Sequence, residues 1–187
     1  MIDLGCGVRK RAGAIGVDIA HIPTVDVLAD VTRPLPFRTS SIDHVYASHL
    51  VEHVADLLAF MGEVWRITRP GGIVQLRFPH GTNIFNTWRD PTHQRGVFLD
   101  TFDYFDPNTF DGKAFGYYHP AKFEMVKQRI YFNMNADTVP TSRARRVMGR
   151  IFHGLANRSE RAQYICERTW GNWLGMEEAQ IWLRALK

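Results

Sequence analysis

The chain reads as an α/β protein built on a mostly parallel sheet, and three observations carry that reading. The first is a pair of short apolar runs, Ile2-Asp3-Leu4 and Ile15-Gly16-Val17-Asp18-Ile19, joined through a glycine turn at Gly5-Cys6-Gly7. The second is an acid at the end of successive apolar runs, at Asp18 and again at Asp30. The third is the succession of apolar run, amphipathic helix, Pro-Gly-Gly and apolar run between residues 41 and 79. Short apolar runs bounded by glycine and acid suit buried strands, whereas a helix shows itself by 3.6-residue spacing over ten or more residues.

Taken in order, residues 2–4 form the first strand, which turns sharply at Gly5 and Gly7 because glycine tolerates positive φ and close ligand approach. Only residues 8–13 separate that turn from the second strand, fewer than the dozen a parallel crossover usually needs, so the first helix is expected to be lost or reduced to a turn. Part of one sheet face would then be bare, to be covered by another segment or by a second copy in a homodimer. Residues 25–30 read as a third strand, and Pro34 and Pro36 impose a loop after it. The fourth strand spans residues 41–48, and a helix from about Asp56 to Thr68 places Leu57, Leu58, Met61, Val64 and Trp65 on one face. Arg69-Pro70-Gly71-Gly72 should stop that helix and residues 73–79 form the fifth strand. Residues 80–120 are aromatic and weakly periodic; they suggest a lid, with one short helix near residues 100–105 that Asp100 would cap. A sixth strand is expected at 123–132, an amphipathic helix at 144–155 and a last strand at 178–187.

With 187 residues, 45% of them apolar, one domain spanning residues 1–187 has enough material for a sizeable core. No apolar run approaches the ~18 residues needed to cross a bilayer, and no signal peptide precedes the first strand, so the expected location is cytoplasmic with no membrane partner. Cys6 and Cys166 are too few for a disulfide framework and read as free thiols. The net charge is +4, yet residues 141–168 alone carry seven arginines against two glutamates. A basic helical insert at about 141–160 follows, for which a solvated face is favoured over nucleic-acid binding.

The glycine turn differs from the dinucleotide fingerprint, which opens its helix on a third glycine where this chain has Lys10. It suits a ligand with a ribose and no pyrophosphate, Asp18 accepting from the sugar hydroxyls. Asp3-Leu4-Gly5-Cys6-Gly7 resembles motif I of the class I S-adenosylmethionine-dependent methyltransferases, and the chain as a whole resembles their type 11 branch. The strand, helix, Pro-Gly-Gly, strand order matches that family, as does Asp90-Pro91-Thr92-His93-Gln94-Arg95. The resemblance implies a Rossmann-like three-layer sandwich of seven strands in the order 3-2-1-4-5-7-6, the last strand antiparallel. It also implies S-adenosyl-L-methionine as cofactor, with Asp3, Gly5 and Gly7 beneath its methionine part and Asp18 on the ribose. Asp30 would meet the adenine amino group, Ile19 and Val31 would flank the ring, and Ser48 or His49 would lie near the methionyl end.

Methyl transfer is an in-line displacement, so few side chains are obligatory. Candidate bases are His49, His80 and His93, because a neutral imidazole accepts a proton near physiological pH. Arg95, Tyr117 and Tyr118 are candidates to touch an acceptor, expected to be a small molecule. His49-Leu50-Val51-Glu52-His53 also spells the H-x-x-E-H of inverted zinc proteases, but that motif needs a long helix where this segment leaves a strand, so no metal is expected. Two other readings are a binding module without transfer activity and an RNA methyltransferase using the arginines of 143–168.

Overall fold

The computed structural model describes residues 1–132, 143–174 and 176–187, with the side chain of Arg145 also set apart. The first two residues of the expected basic insert, 141 and 142, and the Arg145 side chain therefore lie outside the described residues. Seven strands form one sheet: β1 (Ile2–Leu4), β2 (Ile15–Asp18), β3 (Val27–Leu28), β4 (Ile42–Ser48), β5 (Thr68–Pro79), β6 (Lys122–Tyr131) and β7 (Glu178–Leu186). Their order is 3-2-1-4-5-7-6, as the family resemblance implied. The pairs among the first five strands are parallel, while β7 runs antiparallel between β5 and β6.

The central strands are buried on both sides, which is why they read as unbroken apolar runs: Ile2, Leu4, Val17, Val45, Val74, Leu76 and Phe78 are all fully covered. Helix α1 (Leu57–Ile67) buries Leu57, Phe60, Met61, Val64 and Ile67. At roughly 2 kcal/mol per buried side chain, that stripe supplies on the order of 10 kcal/mol before chain entropy is subtracted. Its start is set by Asp56, whose carboxylate accepts from the Ala59 amide at 2.9 Å.

Its end differs from expectation. The helix stops at Ile67, where Thr68 turns extended and donates its hydroxyl to the Val64 carbonyl at 2.6 Å. The Pro-Gly-Gly segment therefore belongs to β5, with Thr68 paired to Ile42 and the register shifting before His44 pairs with Ile73. Gly71, at φ +74°, absorbs the irregularity.

The crossover from β1 to β2 contains no helix, as its length requires. Arg11 does the covering instead: its guanidinium lies 4.5 Å from the Tyr46 ring centroid and donates to Gln75 at 3.1 Å. No second copy needs to be assigned to that part of the sheet.

Residues 80–120 are more regular than their composition suggested. They hold α2 (Ile84–Trp88), a 3-10 helix at Leu99–Phe105, α3 (Phe110–Phe115) and a 3-10 turn at Gly116–Tyr118. Asp100 does not cap the second of these; Thr101 accepts from the Phe98 amide at 3.0 Å, while Asp100 pairs with Arg168. Between β6 and β7 come α4 (Arg143–Ala156), α5 (Glu160–Arg168) and α6 (Gly171–Leu174), the last two not foreseen. On α4 the expected apolar side is largely uncovered: Val147, Met148, Ile151 and Leu155 are exposed, and only Phe152 packs on the core. Both cysteines are free thiols. Among the described residues, no helix is long and apolar enough to cross a membrane.

Candidate functional site

Parallel register brings the predicted residues to one edge. Leu4 pairs with both Val17 and Ala47, Asp18 with Leu28, and Ser48 with Arg77. The segments leaving these strands, at Gly5–Gly7, Asp18–Ile19, Asp30–Val31 and Ser48–His49, therefore emerge side by side at the carboxyl ends, where open α/β sheets bind ligands.

The glycine turn has the conformation its sequence demands. Gly5 and Gly7 have φ of +65° and +48°. A Cβ on Gly5 would meet a Leu50 methyl at 2.8 Å, so this turn needs glycine. Around Gly7 a Cβ would meet nothing within 4 Å, which leaves space above the turn for a ligand. Asp18 ties the turn to the tip of β2, one carboxylate oxygen accepting from the Gly7 amide at 2.8 Å and the other from the Ala20 amide at 2.9 Å. Each oxygen keeps a lone pair for a sugar hydroxyl. Ile19 beside it is 70% exposed, an apolar platform open to solvent.

Asp3 plays a supporting part. It is buried and accepts from the Arg11 amide at 2.7 Å. Burial raises its carboxyl above the usual range, against that hydrogen bond, and the nearby Asp18 charge adds to the rise. Asp30 accepts from the Thr32 amide at 2.9 Å and hydroxyl at 2.7 Å, bonds that hold its carboxyl below the usual range. Val31 is half-buried against the core, and with Pro34, Val54, Phe60 and His119 it lines a cavity of about 440 Å³. A larger cavity of about 570 Å³, lined by Leu155, Arg161, Ile165 and Trp170, shares no residue with the strand tips.

The three histidines have separate fates. His49 leaves β4 with φ +53°, a conformation a side chain rarely adopts, held by its amide donating to the Arg77 carbonyl at 2.8 Å. Its ring lies between two carboxylates, with Nε2 3.1 Å from Glu178 and Nδ1 3.4 Å from Glu52. Burial works against its charge, but the Glu178 and Glu52 carboxylates prevail and its pKa is pushed up to about 9. A ring charged at neutral pH has no lone pair for a proton, so His49 fits an anion contact better than the neutral base expected of it. Arg77 completes this group by a two-pronged pairing with Glu178.

His80 is fully buried, its Nδ1 accepting from the Thr82 amide at 3.2 Å and its Nε2 donating to Glu167 at 2.8 Å. Both nitrogens are engaged within the protein, which leaves it no part in proton exchange with a ligand. His93 lies in the Asp90-to-Arg95 stretch, and its Nδ1 donates to the Thr87 carbonyl at 2.6 Å. In that stretch Arg95 donates to the Ala55 carbonyl, whereas Tyr117 and Tyr118 are 79% and 51% exposed. His49 and His53 do not share a face, because the residues between them form a single 3-10 turn at Val51–His53 in place of an α-helix. Glu178 and Arg77 escaped sequence reasoning, since 129 residues separate His49 from Glu178 and no local pattern joins them.

Comparison with known proteins agrees with this geometry. Residues 2–76 match the family model described as a methyltransferase domain. A probable S-adenosylmethionine-dependent methyltransferase of Mycolicibacterium smegmatis is 31% identical over 104 residues, covering 50% of this chain and 40% of that protein. A ubiquinone biosynthesis O-methyltransferase of Rhodopseudomonas palustris is 30% identical over 94 residues, covering 40% of this chain and 37% of that one. The matched stretch thus spans about two-fifths of these curated relatives. Among solved structures, a SAM-dependent methyltransferase from Archaeoglobus fulgidus superposes with a TM-score of 0.60 at 20% identity, over 98% of this chain and 84% of that one. By its sheet order and by the family match over residues 2–76, the chain is a class I S-adenosylmethionine-dependent methyltransferase domain.

Proposed function

We propose that the chain transfers a methyl group from S-adenosyl-L-methionine to a small-molecule acceptor. The observation that carries the reading is the register that lines up the glycine turn, Asp18, Asp30 and His49 along one sheet edge. The donor would supply a methyl group already activated on a sulfonium. The chain's own residues bind, orient and keep water away. The open space over Gly7 admits the methionine part, and Asp18 keeps free lone pairs for the ribose. Exposed Ile19 and half-buried Val31 flank the adenine, with Asp30 at its edge. Ser48 and His49 face the methionyl end, where His49 offers N–H donors to a carboxylate. Residues 80–120 form the lid that closes over the acceptor, within one domain spanning residues 1–187.

Calorimetry with S-adenosylmethionine tests the donor site. Asp18→Ala should cost roughly 1.5 to 3 kcal/mol, about 10- to 150-fold in Kd, with circular dichroism confirming the fold. Unchanged affinity would remove Asp18 from the site. Incubation with methyl-labelled donor and a cell extract should transfer label to a small molecule; binding heat without transferred label would reduce the chain to a binding module.

A further inference from the structure

The seam between the lid and the turn after β4 holds a second group of side chains. Glu52, His53 and His93 each offer a ligand atom, and these atoms lie within 4.8 Å of one another. Glu52 is 1% exposed, and neither of its carboxylate oxygens has a hydrogen-bond partner. His49 stands 3.4 Å from one of them, an ion-pair distance without hydrogen-bond geometry. A buried carboxylate left this bare costs several kcal/mol unless something pairs with it.

The two imidazoles are oriented for a ligand. Thr92 donates its hydroxyl to Asp90 at 2.7 Å, so its oxygen must accept from His53 Nδ1 at 2.8 Å. His93 Nδ1 faces the Thr87 carbonyl at 2.6 Å, an acceptor that requires a proton on that nitrogen. Both rings thus carry the proton on Nδ1 and present a bare lone pair on Nε2. Metal-binding histidines are held this way, the second nitrogen donating to a carbonyl or hydroxyl. The seam is pinned on either side by the Gln94 amide on the Glu52 carbonyl at 2.7 Å and by Arg95 on the Ala55 carbonyl.

We propose that Glu52, His53 and His93 bind a zinc-type divalent ion that fastens the lid to the turn after β4. Two imidazoles and one carboxylate favour zinc over magnesium or calcium, which prefer all-oxygen sites. Ligands about 2.1 Å from a tetrahedral ion stand roughly 3.4 Å apart, so rotations of about an ångström close the trio on one ion. Three protein ligands leave a fourth position for water. This trio is distinct from the H-x-x-E-H pairing, since His49 has no part in it.

The test is calorimetric titration of the metal-stripped full chain with zinc, followed by limited proteolysis within residues 80–95. One equivalent should bind with micromolar or tighter Kd, magnesium should not, and zinc should slow cleavage of the lid. His93→Ala and Glu52→Gln should each weaken binding at least 100-fold. Thr92→Val, which touches only the His53 ring nitrogen, should weaken it about 10-fold. If Glu52→Gln fails to fold, His93→Ala on the half-buried lid gives the same reading. Absent zinc binding, or binding indifferent to His93→Ala and Thr92→Val, overturns the proposal. Donor affinity is measured separately through Asp18, so either site can fail and leave the other standing.

Discussion

The strand tips of residues 2–49 and the lid with its supporting helices, residues 80–174, are organised by opposite means. At the tips, polar groups are satisfied close by in sequence: Asp18 by Gly7 and Ala20, Asp3 by Arg11, Asp30 by Thr32. In the lid the fastenings reach across the chain. Glu167 of α5 accepts from both His80 and the Leu99 amide, Arg168 pairs with Asp100, and Asp106 accepts from the Met125 amide. A site made of near neighbours survives as long as its turn forms, whereas one made of distant pins depends on every pin. The difference places binding of a shared ligand on the local half and adaptation to a particular acceptor on the other.

The contrast is most exposed at Glu167. Glu167→Ala removes the partner of a buried histidine and a buried amide at once, and it should cost roughly 3 kcal/mol, on the order of 10 °C in Tm. Asp30→Asn, whose partner is two residues away, should move Tm far less. Equal melting of the two variants would erase the distinction between near and distant fastening.

A smaller effect with a definite sign sits at Asp103. Burial, with Asp100, Asp111, Asp106 and Glu167 adding their charges, pushes its pKa up to about 7 from an ordinary 3.8. The folded chain therefore keeps a proton between about pH 4 and 7 that the unfolded chain has released, and stability drains away as pH rises through that window. Asp103→Asn should be more stable than the parent by roughly 1 kcal/mol at pH 8, allowing for solvent screening, and no more stable at pH 3. A gain independent of pH in thermal melts would show that crowding of acids is not what strains the lid.

The smallest effect is expected on α4. Ile151 is 48% exposed, so Ile151→Glu should stay within about 0.5 kcal/mol of the parent in urea unfolding. Phe152 is the sharpening control, because its ring packs on Phe132 and Trp170 and its loss to alanine should cost several times more. A large loss from Ile151→Glu would mean that this side of the helix is covered after all.

Much of this molecule could be read along the chain because the forces involved act between neighbours. Glycines at 5 and 7, an acid ending each early strand and a stripe of apolar residues after Asp56 announce a turn, a ligand edge and a helix without reference to anything distant. The helix boundary was misplaced by a few residues because pairing of Thr68 with Ile42 outweighed the stop signal of Pro-Gly-Gly. Other features depend on which strands become neighbours. Arg11 replaces a helix only because β1 lies beside β4, which carries Tyr46, and β4 beside β5, which carries Gln75. His49 is charged only because β7 returns between β5 and β6 and delivers Glu178 to its ring. Electric fields and packing fall off with distance through space, and the distance between two residues along the chain says little about that until the fold has brought them together.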